Sequence, residues 1–389
     1  MRRSESMQGG SKMAGNRGRI AAKMAGGSAA ALSGGPLDKD SETAGNKEFK
    51  RICVEEHFSD PEHIDFLRAI LEKNYPSQEV IEQEKYLMSD APFFGALHSP
   101  PVRKMLDLLY EVGGGRLREM DRCGIDMQVI SLVSPGVQVF EPGIAVRLAE
   151  KYNNSLRTLV NEHPARFAGL ACLAPQIPEA AADELERSVK ELKFKGAVIN
   201  SHTKGEYLDQ RKYWVIFERA EKLSVPIYIH PRSPSPDMIK PYLGYPMLDA
   251  AMWGFGAEAG LHAMRLICSG LFDEYPKLKI ILGHLGEMIP MQLLRIDNRW
   301  SIAPFPKKLK KLPGQYFREN FLVTTSGMFS QPALAMTLSV LGSDSIMFAV
   351  DYPMEETEEA VSFMNAAPIS EGDKEKIYHL NAERVFSLK

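Results

Sequence analysis

The sequence predicts a single eight-stranded β/α barrel, and three observations carry that expectation. Short apolar runs rich in β-branched residues alternate with segments of helical period along most of the 389 residues. Eight such runs stand near 51–55, 128–133, 167–173, 196–200, 226–230, 279–283, 321–325 and 346–350. Four of them end in side chains able to ligate a metal, and a closed barrel gathers its strand ends on one face, where its active site lies.

The chain begins in different material. Met1–Asn46 is rich in Gly, Ser, Ala and basic residues and contains no aromatic side chain. Such a segment cannot bury enough surface to offset its ordering entropy. We therefore expect a disordered tail over 1–47 and the barrel domain over 48–389. Within the tail, the stretch from Met24 to Leu32 faintly resembles the apolar part of an export signal, although its hydrophobicity is poor. A cytoplasmic location is expected, with export left open.

From Phe49 on, strand and helix patterns alternate. Helical periodicity marks Val102 to Asp121, Ala145 to Asn161, Ala180 to Leu192, Tyr213 to Leu223 and Gly260 to Tyr275, with further stretches after Met288, Pro332 and Glu356. Alternation of this kind implies parallel strands joined by right-handed crossovers. No G-x-G-x-x-G or P-loop pattern opens a helix, which argues against the common nucleotide-binding open sheets. Two connections exceed simple loops: Ile70 to Pro101 after the first strand, and Ser233 to Ala257 after the fifth. Both begin at strand ends that carry candidate ligands, so they are expected to shape a substrate pocket.

Composition removes several function classes. The formal charge is −3, with Lys and Arg scattered, so no nucleic-acid surface is expected. No apolar stretch is long enough to span a bilayer. Cys53, Cys123, Cys172 and Cys268 show no C-x-x-C spacing and are read as reduced core residues.

The strand ends hold the chemistry. Glu55 and His57 are two residues apart, so on a strand they share a side while Glu56 points away. His230 follows Pro226-Ile227-Tyr228-Ile229, where it serves as a ligand or as a satisfied core histidine. Asp351 ends Ile346-Met347-Phe348-Ala349-Val350. A carboxylate buried there would cost several kcal/mol, on the order of 2–7, unless paired or bound to metal. Together Glu55, His57, His230 and Asp351 form a mixed N/O set suited to one divalent ion, Mn²⁺ or Zn²⁺. His284 with Glu287 one turn on reads as a histidine oriented by a carboxylate, although His284 could ligate instead. His202, after the fourth strand, reaches the same face as a pocket residue or as a structural cap.

At these residues the chain resembles the amidohydrolase superfamily, in its branch of metal-dependent aromatic decarboxylases acting on 5-carboxyvanillate, γ-resorcylate and 2,3-dihydroxybenzoate. α-Amino-β-carboxymuconate-semialdehyde decarboxylase is a more distant relative. The likeness is carried by Glu55-Glu56-His57-Phe58, Gly124-Ile125-Asp126, Ser134-Pro135-Gly136-Val137-Gln138, Ile199-Asn200-Ser201-His202-Thr203, Ile229-His230-Pro231, Gly283-His284-Leu285-Gly286-Glu287 and Val350-Asp351-Tyr352-Pro353. It implies Glu55, His230 and Asp351 as metal ligands, with His57 a further ligand found in some members. It also implies that Arg103 binds the substrate carboxylate and that Arg295 reaches a neighbouring subunit's site, through forked donors that match two oxygens. A homodimer or homotetramer follows. Two departures concern the substrate: Met354 stands where relatives place an aromatic residue, and the pairing of His57 with Arg232 is closer to the resorcylate type.

The expected reaction is non-oxidative decarboxylation of an ortho-hydroxy aromatic acid, with Asp351 protonating the ring carbon and His284 and Glu287 orienting the phenolic oxygen. Metal-assisted hydrolysis of an ester, lactone or amide is the alternative the same ligands allow.

Overall fold

The computed structural model describes residues 49–74, 100–235, 237–242, 244–303 and 308–388. The expected tail over 1–47 and much of the first long connection, with Tyr75, Tyr86, Phe93, Phe94 and His98, lie outside the described residues.

The strands fall where the apolar runs place them. They are β1 (Ile52–Phe58), β2 (Met127–Leu132), β3 (Phe167–Gly169), β4 (Ala171–Cys172), β5 (Ala197–Asn200), β6 (Ile227–His230), β7 (Ile280–Leu282), β8 (Phe321–Thr324) and β9 (Ile346–Met347). All neighbouring pairs are parallel, in the order β1-β2-β3 and β4-β5-β6-β7-β8-β9. Only Leu170 separates β3 from β4, and it joins the two sheets. Its amide donates to Ile130 O at 2.9 Å, while the next amide, of Ala171, donates to Gly196 O at 2.9 Å. β3 and β4 are thus one barrel strand that changes partners midway.

Closure comes from the other edge. Beyond β9 the chain stays alongside β1: Val54 N donates to Phe348 O at 3.2 Å, Asp351 N to Glu55 O at 3.0 Å and His57 N to Tyr352 O at 2.9 Å. The ring is a closed β/α barrel of eight strands.

Alternation divides the apolar side chains into two layers. Ile52, Val54, Val129, Leu170, Val198, Tyr228, Ile281, Leu322 and Met347 fill the barrel interior, with Ala382 and Phe386 of the C-terminal helix packed against them. Cys53, Ile130, Ile199, Ile229, Leu282, Val323 and Phe348 pack outward against the helices. β1 breaks the alternation once. Cys53 pairs with Gln128 and Glu56 with Ile130, so β1 carries one extra residue there. A bulge of this kind changes which face the following residues present. Val54 and Glu55 both turn inward, Glu56 turns out, and His57 turns in again. β1 also runs to Phe58, so Glu55 and His57 lie within the strand and not beyond it.

Two helix boundaries differ from the sequence pattern. Val102 to Asp121 is two helices, Pro100–Tyr110 and Gly114–Cys123. The run Gly113-Gly114-Gly115 interrupts the helix, and the Glu111 carboxylate accepts the amides of Gly115 and Arg116, each at 2.8 Å, which opens the second helix. The helix expected from Gly260 begins earlier, at Gly254, and ends at Ser269, with a short turn Leu271–Glu274 after it. Among the described residues no helix is long and apolar enough to cross a membrane.

Candidate metal centre and its cavity

The strand ends converge as the sequence predicts. Glu55, His57, His230 and Asp351 each offer one ligand atom, and these atoms all lie within 4.8 Å of one another. His57 Nε2 is 3.0 Å from Asp351 Oδ1, and His230 Nε2 is 3.6 Å from Glu55 Oε1. Two ligands at about 2.1 Å from one ion sit at most about 4.2 Å apart, so small adjustments bring the set onto a single centre.

Two of the candidate ligands are held from behind. Glu55 Oε2 accepts hydrogen bonds from the hydroxyls of Tyr228 and Ser326, and from Thr324 at 2.9 Å. Its Oε1 is buried without a hydrogen-bond partner, as is His57 Nε2. His230 Nδ1 donates to Pro231 O at 2.8 Å, which fixes the tautomer and leaves the Nε2 lone pair facing the cluster. Burial, with His57 adding to it, holds the His230 ring down to about 3, so it stays neutral as a ligand must. Burial pushes the Glu55 carboxyl up, against the pull of His284. Burial also acts to raise Asp351, but the adjoining His284 and His57 rings outweigh it and hold that carboxyl far below its usual range. Two imidazoles and two carboxylates brought this close are the donor set of one hard or borderline divalent cation.

His284 and Glu287 stand beside this cluster on an uncommon backbone. His284, Leu285, Gly286, Glu287 and Met288 have φ of 51°, 55°, 89°, 51° and 65°. They form a left-handed turn, where each non-glycine residue costs about 1–2 kcal/mol. The expected spacing of one turn is present, but with the opposite hand. The turn nests against helix Gly254–Ser269, where a Cβ at Gly260 would lie 3.0 Å from Glu287 O and one at Gly256 3.0 Å from Glu287 Oε2. There His284 Nδ1 donates to Glu287 Oε1 at 2.8 Å, and His284 Nε2 points toward Asp351 Oδ2 at 3.7 Å. Burial opposes charge on His284, but the carboxylates of Glu287 and Glu55 raise its proton affinity well above the ordinary value.

Above the cluster lies a cavity of about 370 Å³. Its walls are mainly apolar: Ile64 and Leu67 from the helix after β1, Trp253 and Phe255 from the second long connection, and Met328 and Met354 opposite them. The second long connection thus helps to build the pocket, as expected, while most of the first lies outside the described residues. Among the described residues no Lys or Arg lines it. Arg103 is exposed on Pro100–Tyr110 and Arg295 is exposed on Ile289–Ile302, and neither lines the cavity of its own chain. His202 is likewise absent from the lining. Its Nε2 donates to Ser233 O at 3.1 Å and its Nδ1 accepts from Gly205 N at 3.1 Å, so both ring nitrogens brace loops and none is left for a substrate. Of the pocket and capping readings of His202, these bonds support the cap and not the substrate contact.

Several residues went unread in the sequence. Tyr228 sits two before His230 on β6, and that period-2 relation puts its hydroxyl on the same inward face. Thr324 ends β8 and Ser326 stands two residues on, in the same period. Glu355 lines the cavity and was not singled out; burial, with Asp351 nearby, pushes its carboxyl up to about 7. The Ser134–Gln138 stretch acts through Gln138, whose Nε2 donates to Thr203 Oγ1 at 2.9 Å and Asn200 O at 3.1 Å, and whose Oε1 accepts from Asn200 N at 2.6 Å.

Comparison with known proteins agrees with this geometry. The Amidohydrolase family profile matches residues 93–388. The chain is 39% identical to a γ-resorcylate decarboxylase of Polaromonas sp. (strain JS666 / ATCC BAA-500), over 80% of this chain and 97% of that protein. The solved 5-carboxyvanillate decarboxylase of Sphingomonas paucimobilis superposes with a TM-score of 0.81 at 39% identity, covering 88% of this chain and 100% of the other. A 5-carboxyvanillate decarboxylase of Novosphingobium aromaticivorans, solved with manganese and 4-hydroxy-3-methoxy-5-nitrobenzoic acid, gives 0.82 at 36% identity, covering 91% and 100%. Barrel, ligand cluster and relatives all point one way, and this chain belongs to the amidohydrolase family.

Proposed function

We propose that this protein is a metal-dependent decarboxylase of ortho-hydroxy aromatic carboxylic acids. The observation that carries the reading is the buried Glu55, His57, His230 and Asp351 cluster, with Glu55 Oε1 and His57 Nε2 unpartnered, beneath an apolar cavity. Those four residues would hold one divalent ion, and manganese in the Novosphingobium neighbour supports that identity. When bound, the ion supplies a template and Lewis acid for a carboxylate and a neighbouring phenolic oxygen.

This chain's own residues do the rest. The apolar walls hold the ring and exclude water. Asp351 lies on the cavity floor, where its carboxylate takes the phenolic proton of the arriving substrate. It then delivers that proton to the ring carbon bearing the carboxylate, which interrupts aromaticity. The bond between that carbon and the carboxylate breaks, its electron pair returns to the ring, and CO₂ leaves. The phenolate product regains a proton from solvent on release. His284 Nε2, oriented by the bond of Nδ1 to Glu287, donates toward the oxygen that carries the developing charge.

The substrate's carboxylate calls for a cation that the described lining of this cavity does not supply. Arg295 projects from a helix whose neighbouring side chains Met291 and Leu294 are 71% and 76% exposed, a combination suited to burial against a second copy. The reading is therefore at least a homodimer in which Arg295 reaches the adjoining pocket, with Arg103 a second candidate for the carboxylate. Turnover of 2,6-dihydroxybenzoate, 5-carboxyvanillate and 2,3-dihydroxybenzoate with Mn²⁺ or Zn²⁺, followed by CO₂ release, tests the function. Release from at least one acid, abolished by chelation, is expected; hydrolysis of phenolic esters without any CO₂ would overturn it. An active species sedimenting as a monomer would overturn the shared pocket.

A further inference from the structure

Glu56 lies between two ligands of the metal cluster in sequence, yet its side chain faces away from them. It is fully buried, and its carboxylate spans the seam where the barrel closes. Oε1 accepts the amide of Val350 at 3.0 Å and Oε2 accepts the amide of Tyr352 at 3.1 Å. These amides flank Asp351, whose own amide donates to Glu55 O at 3.0 Å. Three consecutive amides are therefore held by β1, two of them by one side chain.

Asp351 needs such holding. Its φ is 80°, in the left-handed region that L-residues seldom adopt. The amide of Tyr352 turns with ψ of Asp351, so a rotation that relaxed this backbone would pull that amide off Oε2. Arg116 backs the arrangement. Its guanidinium is buried, donates to His57 O at 2.6 Å and lies 4.8 Å from the centroid of the Tyr352 ring. A buried acid and base of this kind is by itself weak evidence for stability, because well-packed apolar residues often do as well. What apolar residues cannot do is accept two amides on either side of one chosen residue.

We infer that Glu56 is a positioning residue: it clamps the backbone on both sides of Asp351 and so fixes the Asp351 carboxylate for the metal and for proton delivery. The second half of that statement rests on the decarboxylase reading; the first half does not. Glu56→Gln keeps one acceptor oxygen but presents an amide group to the other N–H. Glu56→Asp keeps the carboxyl group but withdraws both acceptors by one methylene.

The test is Mn²⁺ titration of the apoprotein, with melting temperature, kcat and KM measured on the metal-saturated enzyme. Removal of a group that orients a ligand weakens metal affinity or activity by about 10–100-fold. We expect a loss of about tenfold or more in both Mn²⁺ affinity and kcat, in both variants, with KM changed less than about threefold. Mn²⁺ affinity and kcat within twofold of wild type in a folded Glu56→Asp protein would overturn the inference. So would a kcat loss in Glu56→Gln that merely follows its unfolded fraction. If wild type binds Mn²⁺ but releases no CO₂ from any acid, while both variants still lose Mn²⁺ affinity, the decarboxylase reading fails and the clamp stands.

Discussion

Replacing Glu287 separates the orienting role of this carboxylate from any part in holding the fold. The side chain is 3% exposed and its Oε1 accepts the His284 Nδ1–H at 2.8 Å. A hydrogen bond to a charged group contributes about 1.5–3 kcal/mol. At about 1.36 kcal/mol per decade, that interval spans about 10- to 150-fold in rate. Glu287→Gln is isosteric and still accepts through Oε1, so its effect belongs at the low end, about tenfold in kcat. Glu287→Leu leaves Nδ1 without a partner in a buried site, which places it near about 100-fold. The measurement is CO₂ release under saturating manganese and substrate, with melting temperature recorded for each variant. KM should move less than kcat, because the Ile64, Leu67, Trp253 and Phe255 walls stay in place. A Glu287→Leu enzyme within threefold of wild-type kcat would refute the orienting role.

Three further outcomes follow from the same geometry. His230→Ala removes a neutral ligand whose Nε2 has no other use, so manganese affinity should fall by at least about 100-fold in direct titration; full retention would remove His230 from the ligand set. Gly260→Ala places a methyl 3.0 Å from Glu287 O, which is backbone and cannot swing aside. The overpacking costs about 1–3 kcal/mol, more than the roughly 1 kcal/mol gained in helix propensity, so both kcat and melting temperature should drop; a fully active, more stable protein would contradict the close nesting of the left-handed turn. Burial holds His63 down to about 4 and His262 to about 3, against the ordinary 6.5. The unfolded chain therefore binds protons below pH 6.5 that the folded state refuses, and stability falls as pH drops. Each contributes a loss of about 1.4 kcal/mol between pH 7.5 and 5.5. Denaturant unfolding of His63→Gln should show a loss smaller by about that amount, and an unchanged loss would exclude His63.

The strands and the candidate ligands were legible because both follow short-range rules. A run such as Ile227-Tyr228-Ile229-His230 declares its strand by composition and its inward face by period two. Features that depend on contacts between distant segments were not legible. The bulge in β1 appears only when Cys53 and Glu56 are matched to β2, yet it is what turns Glu55 inward while Glu56 meets the amides of Val350 and Tyr352. The left-handed turn at His284–Met288 is hidden because only Gly286 announces such a backbone; the other residues are held there by packing against Gly256 and Gly260. The pocket and capping readings of His202 could not be separated, since its partners, Ser233 O and Gly205 N, are backbone groups that no side-chain pattern reveals. Helix Val102 to Asp121 read as continuous because its apolar period survives the glycine run that breaks it.

The central claim is that Asp351 protonates a ring carbon from which CO₂ then departs. Turnover of an accepted hydroxybenzoate with manganese in D₂O, and in parallel in H₂¹⁸O, tests it most directly. The account predicts one CO₂ per product, one deuterium at the vacated ring position and no ¹⁸O incorporated into the phenol. Product carrying solvent ¹⁸O, with the carboxylate retained and no deuterium in the ring, would contradict it.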